Sequence, residues 1–106
     1  MTIRRLLLAL LVATSGAACQ PGGEAEAPDG RALFLTDTTP TCATCHVLQD
    51  AGSEGTIGPN LDLIRPSAPN VERAVREGPG AMPAYDALSD AEIEALAEYV
   101  ARAAGS

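Results

Sequence analysis

The chain contains no tryptophan and no lysine, a single histidine, a single phenylalanine and only two tyrosines. With so few aromatics in 106 residues, a core built from protein side chains alone would be thin. Domains of this size generally need a metal, disulfides or another staple. Three cysteines do not make a disulfide framework. A structural zinc site is disfavoured as well: Cys42, Cys45 and His46 supply three of four ligands, and adjacent Cys45 and His46 are poorly placed to bind together. No stretch alternates apolar and polar residues for long enough to read as a strand. That absence also counts against a thioredoxin-like redox CxxC, which expects βαβ patterning.

Charge of one sign is scarce too. From Cys19 onward there are five arginines against all fourteen acidic residues, a net charge of −9. Such an acidic body disfavours nucleic acid and direct binding to anionic lipid. In the main it describes a solvated surface that keeps the protein soluble.

What is present begins with an export signal over residues 1–18. Arg4 and Arg5 precede the apolar run Leu6 to Ala13, and small residues follow from Thr14 to Ala18. The run is too short to span a bilayer, which takes ~20 residues. Two modes of cleavage fit. Ser15 to Cys19 (SGAAC) resembles a bacterial lipobox that would make Cys19 a lipidated first residue, although Gly16 stands where a branched aliphatic is usual. Ordinary cleavage near Ala17 or Ala18 would leave Cys19 as a free thiol, a liability in an oxidising compartment. Residues 19–28 then form a flexible tether, since Gln20 to Pro28 (QPGGEAEAP) has no large apolar residue and would reach at most ~30 Å. Residues 29–106 make one domain.

Cys42-Ala43-Thr44-Cys45-His46 organises that domain. Two thiols three residues apart, followed at once by a histidine, are the pattern for covalent haem attachment. The thiols can add to the two vinyl groups, and the histidine then offers an imidazole nitrogen to iron. A buried haem would be the missing staple.

Helical signals surround the motif. Asp29 is an N-cap candidate for a short helix carrying Leu33 and Phe34, with Gly30 suited to close backbone approach. Thr36 to Thr41 is turn chemistry, and Gln49 to Thr56 is a Gly-rich loop. Ser67 or Asn70 starts a second helix with Val71, Ala74 and Val75 on one face, and Gly78 ends it. Gly78 to Pro83 must be a shaped loop. Ser89 to Glu92 is a capping box that opens a last helix running to about Arg102, with Ile93, Leu96, Ala97 and Val100 on one face.

The ligand inventory permits elimination. His46 is the sole histidine, and Met82 is the only methionine besides Met1. A second strong protein ligand on iron would therefore be Met82, which sits in a Gly/Pro-rich loop and not on a helix face. Methionine is more often core filler. Its thioether favours Fe(II) and raises the potential over a bis-histidine site. Pro59 is the candidate carbonyl for the other ring nitrogen of His46, unless Gly58-Pro59 is an ordinary turn. A site with both axial positions filled describes a one-electron carrier and not an enzyme with an open coordination position.

On Gly30 with Phe34, the CATCH motif, Gly58-Pro59-Asn60-Leu61, the Met82 loop and Leu96 with Tyr99, residues 29–103 resemble the small class I c-type cytochromes of bacteria. The resemblance implies an all-α cytochrome c fold, three to four short helices wrapped around one covalently bound haem, with terminal helices crossing at Gly30, Phe34, Leu96 and Tyr99. It implies Cys42 and Cys45 as thioether positions, His46 and Met82 as iron ligands, and the Pro59 carbonyl as partner of His46. One departure stands out: eight residues separate Phe34 from Cys42 (counting to the cysteine), and TDTTP is expected to bulge near the haem edge.

The Met82 loop also resembles cytochrome subunits found beside periplasmic dehydrogenases, such as those oxidising sulfite. Redox partners would be a donor and an acceptor drawn from a dehydrogenase, a quinol-oxidising complex or a terminal oxidase. Docking is expected at the haem edge near Val47, Ala81 and Ala84, on a partner with a basic or neutral patch. Two other readings remain at this level: a haem-based ligand sensor or catalytic subunit with a labile Met82, and a haem-free lipoprotein. Arg73 and Arg76 would be solvated, or paired with glutamates or haem propionates.

Overall fold

The computed structural model describes Gly16 and residues 27–106. Apart from Gly16, the segment read as an export signal lies outside the described residues, as do Cys19 and nearly all of the expected 19–28 tether. Five α-helices form: α1 (Gly30–Leu35), α2 (Cys42–Cys45), α3 (Leu61–Ile64), α4 (Ala68–Glu77) and α5 (Asp90–Ala103). Two of them, α2 and α3, are single turns, so three longer helices carry the all-α architecture.

Side-chain caps fix where the helices start. Asp29 accepts from the N–H groups of Arg31 and Ala32, and Ser67 from that of Asn70, with Pro69 in the first turn. Ser67 and not Asn70 is therefore the cap of α4. Ser89 and Glu92 bond reciprocally in a complete capping box, each satisfying an amide that the helix itself leaves unpaired. Gly78 ends α4 at φ 63°, a left-handed conformation that glycine adopts without a steric penalty.

The scaffold is the packing of α5 against both α1 and α4. Gly30 is buried at the α1–α5 crossing. A Cβ there would collide with the Ala95 carbonyl oxygen and lie 2.6 Å from Tyr99 Cβ, so only glycine lets the two backbones approach this closely. At Gly30 itself the contact is made by Ala95 and Tyr99, and Leu96 on the same helix is fully buried. Phe34 packs edge-on against Tyr99 with ring centroids 6.2 Å apart, within the range of a favourable aromatic pair. Phe34, Leu48, Leu96 and Val75 are the largest fully buried side chains. Each contributes about 1.5–3 kcal/mol of burial.

Three segments depart from the sequence reading. Gln49 to Thr56 is not a plain loop: Val47–Leu48 (β1) and Ser53–Glu54 (β2) pair antiparallel around a 3₁₀ turn at Gln49–Ala51. Two-residue strands are too short to leave an alternating pattern. The single turn α3, capped by Asn60, leaves no signal in the sequence either, because four residues carry no helical period. The TDTTP segment does not simply bulge. Thr38 is buried, with its hydroxyl donating to the Leu33 carbonyl at 2.9 Å. On α4, Arg76 pairs with Asp90 at 2.8 Å and Arg73 bonds Asn70, so neither takes a glutamate.

Candidate haem site

Helices α1, α4 and α5 enclose, with the CATCH turn and the Met82 loop, a cavity of about 730 Å³. Ligand sites commonly occupy ~300–1,000 Å³ and are lined mainly by apolar side chains. Here the apolar lining includes Phe34, Leu61, Val71, Val75, Leu96 and Val100. Ala74, from the predicted apolar face of α4, lines it as well.

The sequence-predicted site residues converge on this one space. Cys42, Cys45, His46, Pro59 and Met82 all line it. Cys42 and Cys45 are unpaired thiols at the two ends of α2. Burial pushes the Cys42 thiol above its ordinary range, partly offset by the Thr38 hydroxyl 3.9 Å from its sulfur. The CATCH turn thus presents one buried and one half-buried thiol to an apolar space.

His46 is held from several sides. Its Nδ1 lies 2.7 Å from the Pro59 carbonyl. A carbonyl oxygen can only accept, so Nδ1 carries the proton and Nε2 keeps its lone pair for a metal. Gly58 passes so close to the ring that a Cβ would sit 2.5 Å from His46 Cε1. The Gly58 N–H also donates to the Cys45 carbonyl at 2.7 Å. The buried Ser53 hydroxyl donates to the His46 backbone carbonyl at 2.9 Å and accepts from the Leu48 N–H at 3.0 Å. A Cβ on Gly55 would meet the Cys45 and Thr44 backbone at 2.6 Å.

Met82 is half-buried in a loop whose Pro79, Gly80, Ala81 and Pro83 are exposed. Its N–H donates to the Pro79 carbonyl at 3.1 Å. The expected docking residues differ in access: Ala81 and Ala84 are exposed, Val47 only half so.

Space, apolar walls, two unpaired thiols and an imidazole with a free Nε2 together fit a haem. The chain's similarity to known proteins agrees. Residues 25–100 match the family described as cytochrome c oxidase, cbb3-type, subunit III. The chain belongs to the class I c-type cytochromes. It carries electrons on one covalently bound haem c. Among its relatives is cytochrome c-551 of Halorhodospira halochloris, 36% identical over 74 residues, which cover 68% of this chain and 94% of that protein. Cytochrome c-551 of Halorhodospira halophila is 37% identical over 65 residues, 60% of this chain and 83% of the relative. Among solved structures, the c-type cytochrome SorU from Sinorhizobium meliloti matches with a TM-score of 0.71 and 51% identity. That match covers 73% of this cytochrome and 88% of SorU.

Two contributors escaped the sequence reading. Ser53 lies in a Gly-rich stretch that gives no sign of burial, and only the hairpin brings its hydroxyl to the His46 backbone carbonyl. Tyr85 lines the cavity three residues past Met82. Its one signal is that it is among only two tyrosines, set in a connection made mostly of Gly, Pro and Ala.

Proposed function

We propose that this cytochrome shuttles single electrons between two redox proteins, with Cys42 and Cys45 as the residues that would hold the haem and His46 and Met82 as those that would ligate its iron. The observation that carries the reading is the convergence of both thiols, the Pro59-bonded imidazole and the sole internal methionine on one apolar cavity. Haem supplies an iron that accepts and releases one electron. His46 donates through Nε2, strengthened by the bond at Nδ1. Met82 offers a soft, weakly donating sulfur, which favours the reduced state. With His46 and Met82 both engaged, no coordination position would remain for a substrate, and the apolar lining would keep water away.

The partner set consists of a dehydrogenase or quinol-oxidising complex as donor and a terminal acceptor. The acidic surface, net −9 beyond residue 18 and without lysine, suits a partner with a basic or neutral docking patch near Ala81 and Ala84. Electron transfer with a lysine-rich partner should slow as salt rises, because screening shortens the reach of the attraction. A flat salt response would remove electrostatic steering.

Residues 1–18 act as the export signal and 19–28 as a tether, with Cys19 as lipid attachment point and the domain on the outer side of the membrane. No described helix is long and apolar enough to cross a membrane. A visible spectrum combined with intact mass tests these assignments together. It should give a covalent haem, a methionine–iron charge-transfer band and lipid mass on a chain beginning at Cys19. Haem lost to acid acetone would contradict the thioether assignment, and an unmodified Cys19 would contradict the anchor.

A further inference from the structure

Tyr85 makes two bonds in different directions. Its N–H donates to the Val75 carbonyl of α4 at 2.9 Å. Its hydroxyl donates at 2.7 Å to the carbonyl of Pro40, 45 residues earlier. Pro40 stands two residues before Cys42, in the segment whose Thr38 is anchored on the Leu33 carbonyl. Once Cys42 carries haem, that segment is fixed relative to the cofactor.

The Met82 loop has few other holds. Between Pro79 and Leu88, two more hydrogen bonds form among the described residues, Met82 N–H to the Pro79 carbonyl and Leu88 N–H to the Tyr85 carbonyl, and both stay inside the loop. The bonds that reach the rest of the protein both belong to Tyr85. One of them is a backbone bond to α4. The other is the hydroxyl, and it alone ties the loop to the Cys42 side of the cavity.

We propose that Tyr85 is a positioning residue for Met82: through the Pro40 carbonyl its hydroxyl registers the methionine loop against the haem-bearing segment and sets how readily Met82 is displaced from iron. The inference rests on reading Met82 as the distal ligand. Without the tether the loop gains conformations in which sulfur is away from iron, and a competing ligand meets less resistance.

The test is a titration of the oxidised holoprotein with imidazole, following the methionine–iron charge-transfer band. Tyr85→Phe keeps the ring in the cavity wall and removes only the hydroxyl. It should bring the midpoint to about three- to tenfold lower imidazole, the scale of one hydrogen bond. Tyr99→Phe is the control, since it deletes a comparable 2.7 Å bond to Asp50 away from the cavity; its midpoint should match the wild type. An unchanged or higher midpoint in Tyr85→Phe overturns the proposal, as does an equal drop in both variants. Met82→Ala separates the two ideas. If the band survives that substitution, the ligand reading itself fails. If the band disappears there and Tyr85→Phe behaves as wild type, only the tyrosine's role falls.

Discussion

The wall of the cavity that holds His46 and the wall that holds Met82 are built on different terms. Around His46, nearly every neighbouring residue is committed. Gly58 and Gly55 have no room for a side chain, Ser53 bonds two backbone groups, and Pro59 fixes the ring. Around Met82, Gly80 has open space within 4 Å of where a Cβ would lie, and its neighbours are exposed. The first wall is fixed by packing on every side; the second is packed at one point, Gly78, where a Cβ would lie 2.5 Å from Ala84 N and 2.9 Å from the Met82 carbonyl oxygen, and is otherwise held by Tyr85. On the proposed reading His46 is the firmly held ligand and Met82 the one with more freedom, so Tyr85 matters for keeping the sulfur close. The contrast also locates the vulnerable point: ligand exchange should begin on the methionine side.

Substituting glycine on each wall would sharpen the difference. Gly58→Ala should have the largest effect. Its methyl group would overlap the imidazole, so His46 must leave its bond to Pro59 or the chain must move, and overpacking of this kind typically costs ~1–3 kcal/mol. Most of the haem-loaded yield and the normal spectrum should be lost. Gly80→Ala meets no neighbour and incurs only the cost of a left-handed residue at φ 58°, roughly 1–2 kcal/mol. It should load haem normally, with a lower midpoint in denaturant. Equal effects of the two substitutions would erase the distinction between the walls.

Much of this arrangement was legible in the sequence, for identifiable reasons. Asp29, Ser67 and Ser89 are strong cap residues, and α4 and α5 are long enough to show a helical period. The unique histidine and the one methionine of the domain made the ligand candidates a matter of elimination. What stayed hidden was held by contacts distant in sequence. Ser53 reaches His46 through a hairpin with two residues per strand. Tyr85 reaches Pro40 across 45 positions, and Thr38 turns inward because the Leu33 carbonyl at the end of α1 needs a donor. None of these leaves a periodic trace.

The smallest expected effect lies behind the histidine wall. The Asp62 carboxylate accepts from the Gly105 N–H at 2.9 Å and the Gln49 N–H at 2.8 Å, joining α3 to the chain end and to the hairpin turn. These two bonds, the Gly105 one foremost, hold its carboxyl below the ordinary 3.8. A carboxyl depressed in the folded state stabilises the fold above its unfolded value, and that support fades as pH falls through the lower folded value. Wild-type melting temperature should therefore decline below about pH 4 more steeply than that of Asp62→Asn. Parallel curves would show that the brace contributes nothing.

Carbon monoxide titration of the reduced holoprotein, beside Met82→Ala, tests the closed His46/Met82 site most directly. The wild type should resist carbon monoxide at neutral pH, while the variant, with one axial position open, should bind it readily. Equally ready binding by both would contradict the closed site and turn the protein from an electron carrier toward a ligand sensor.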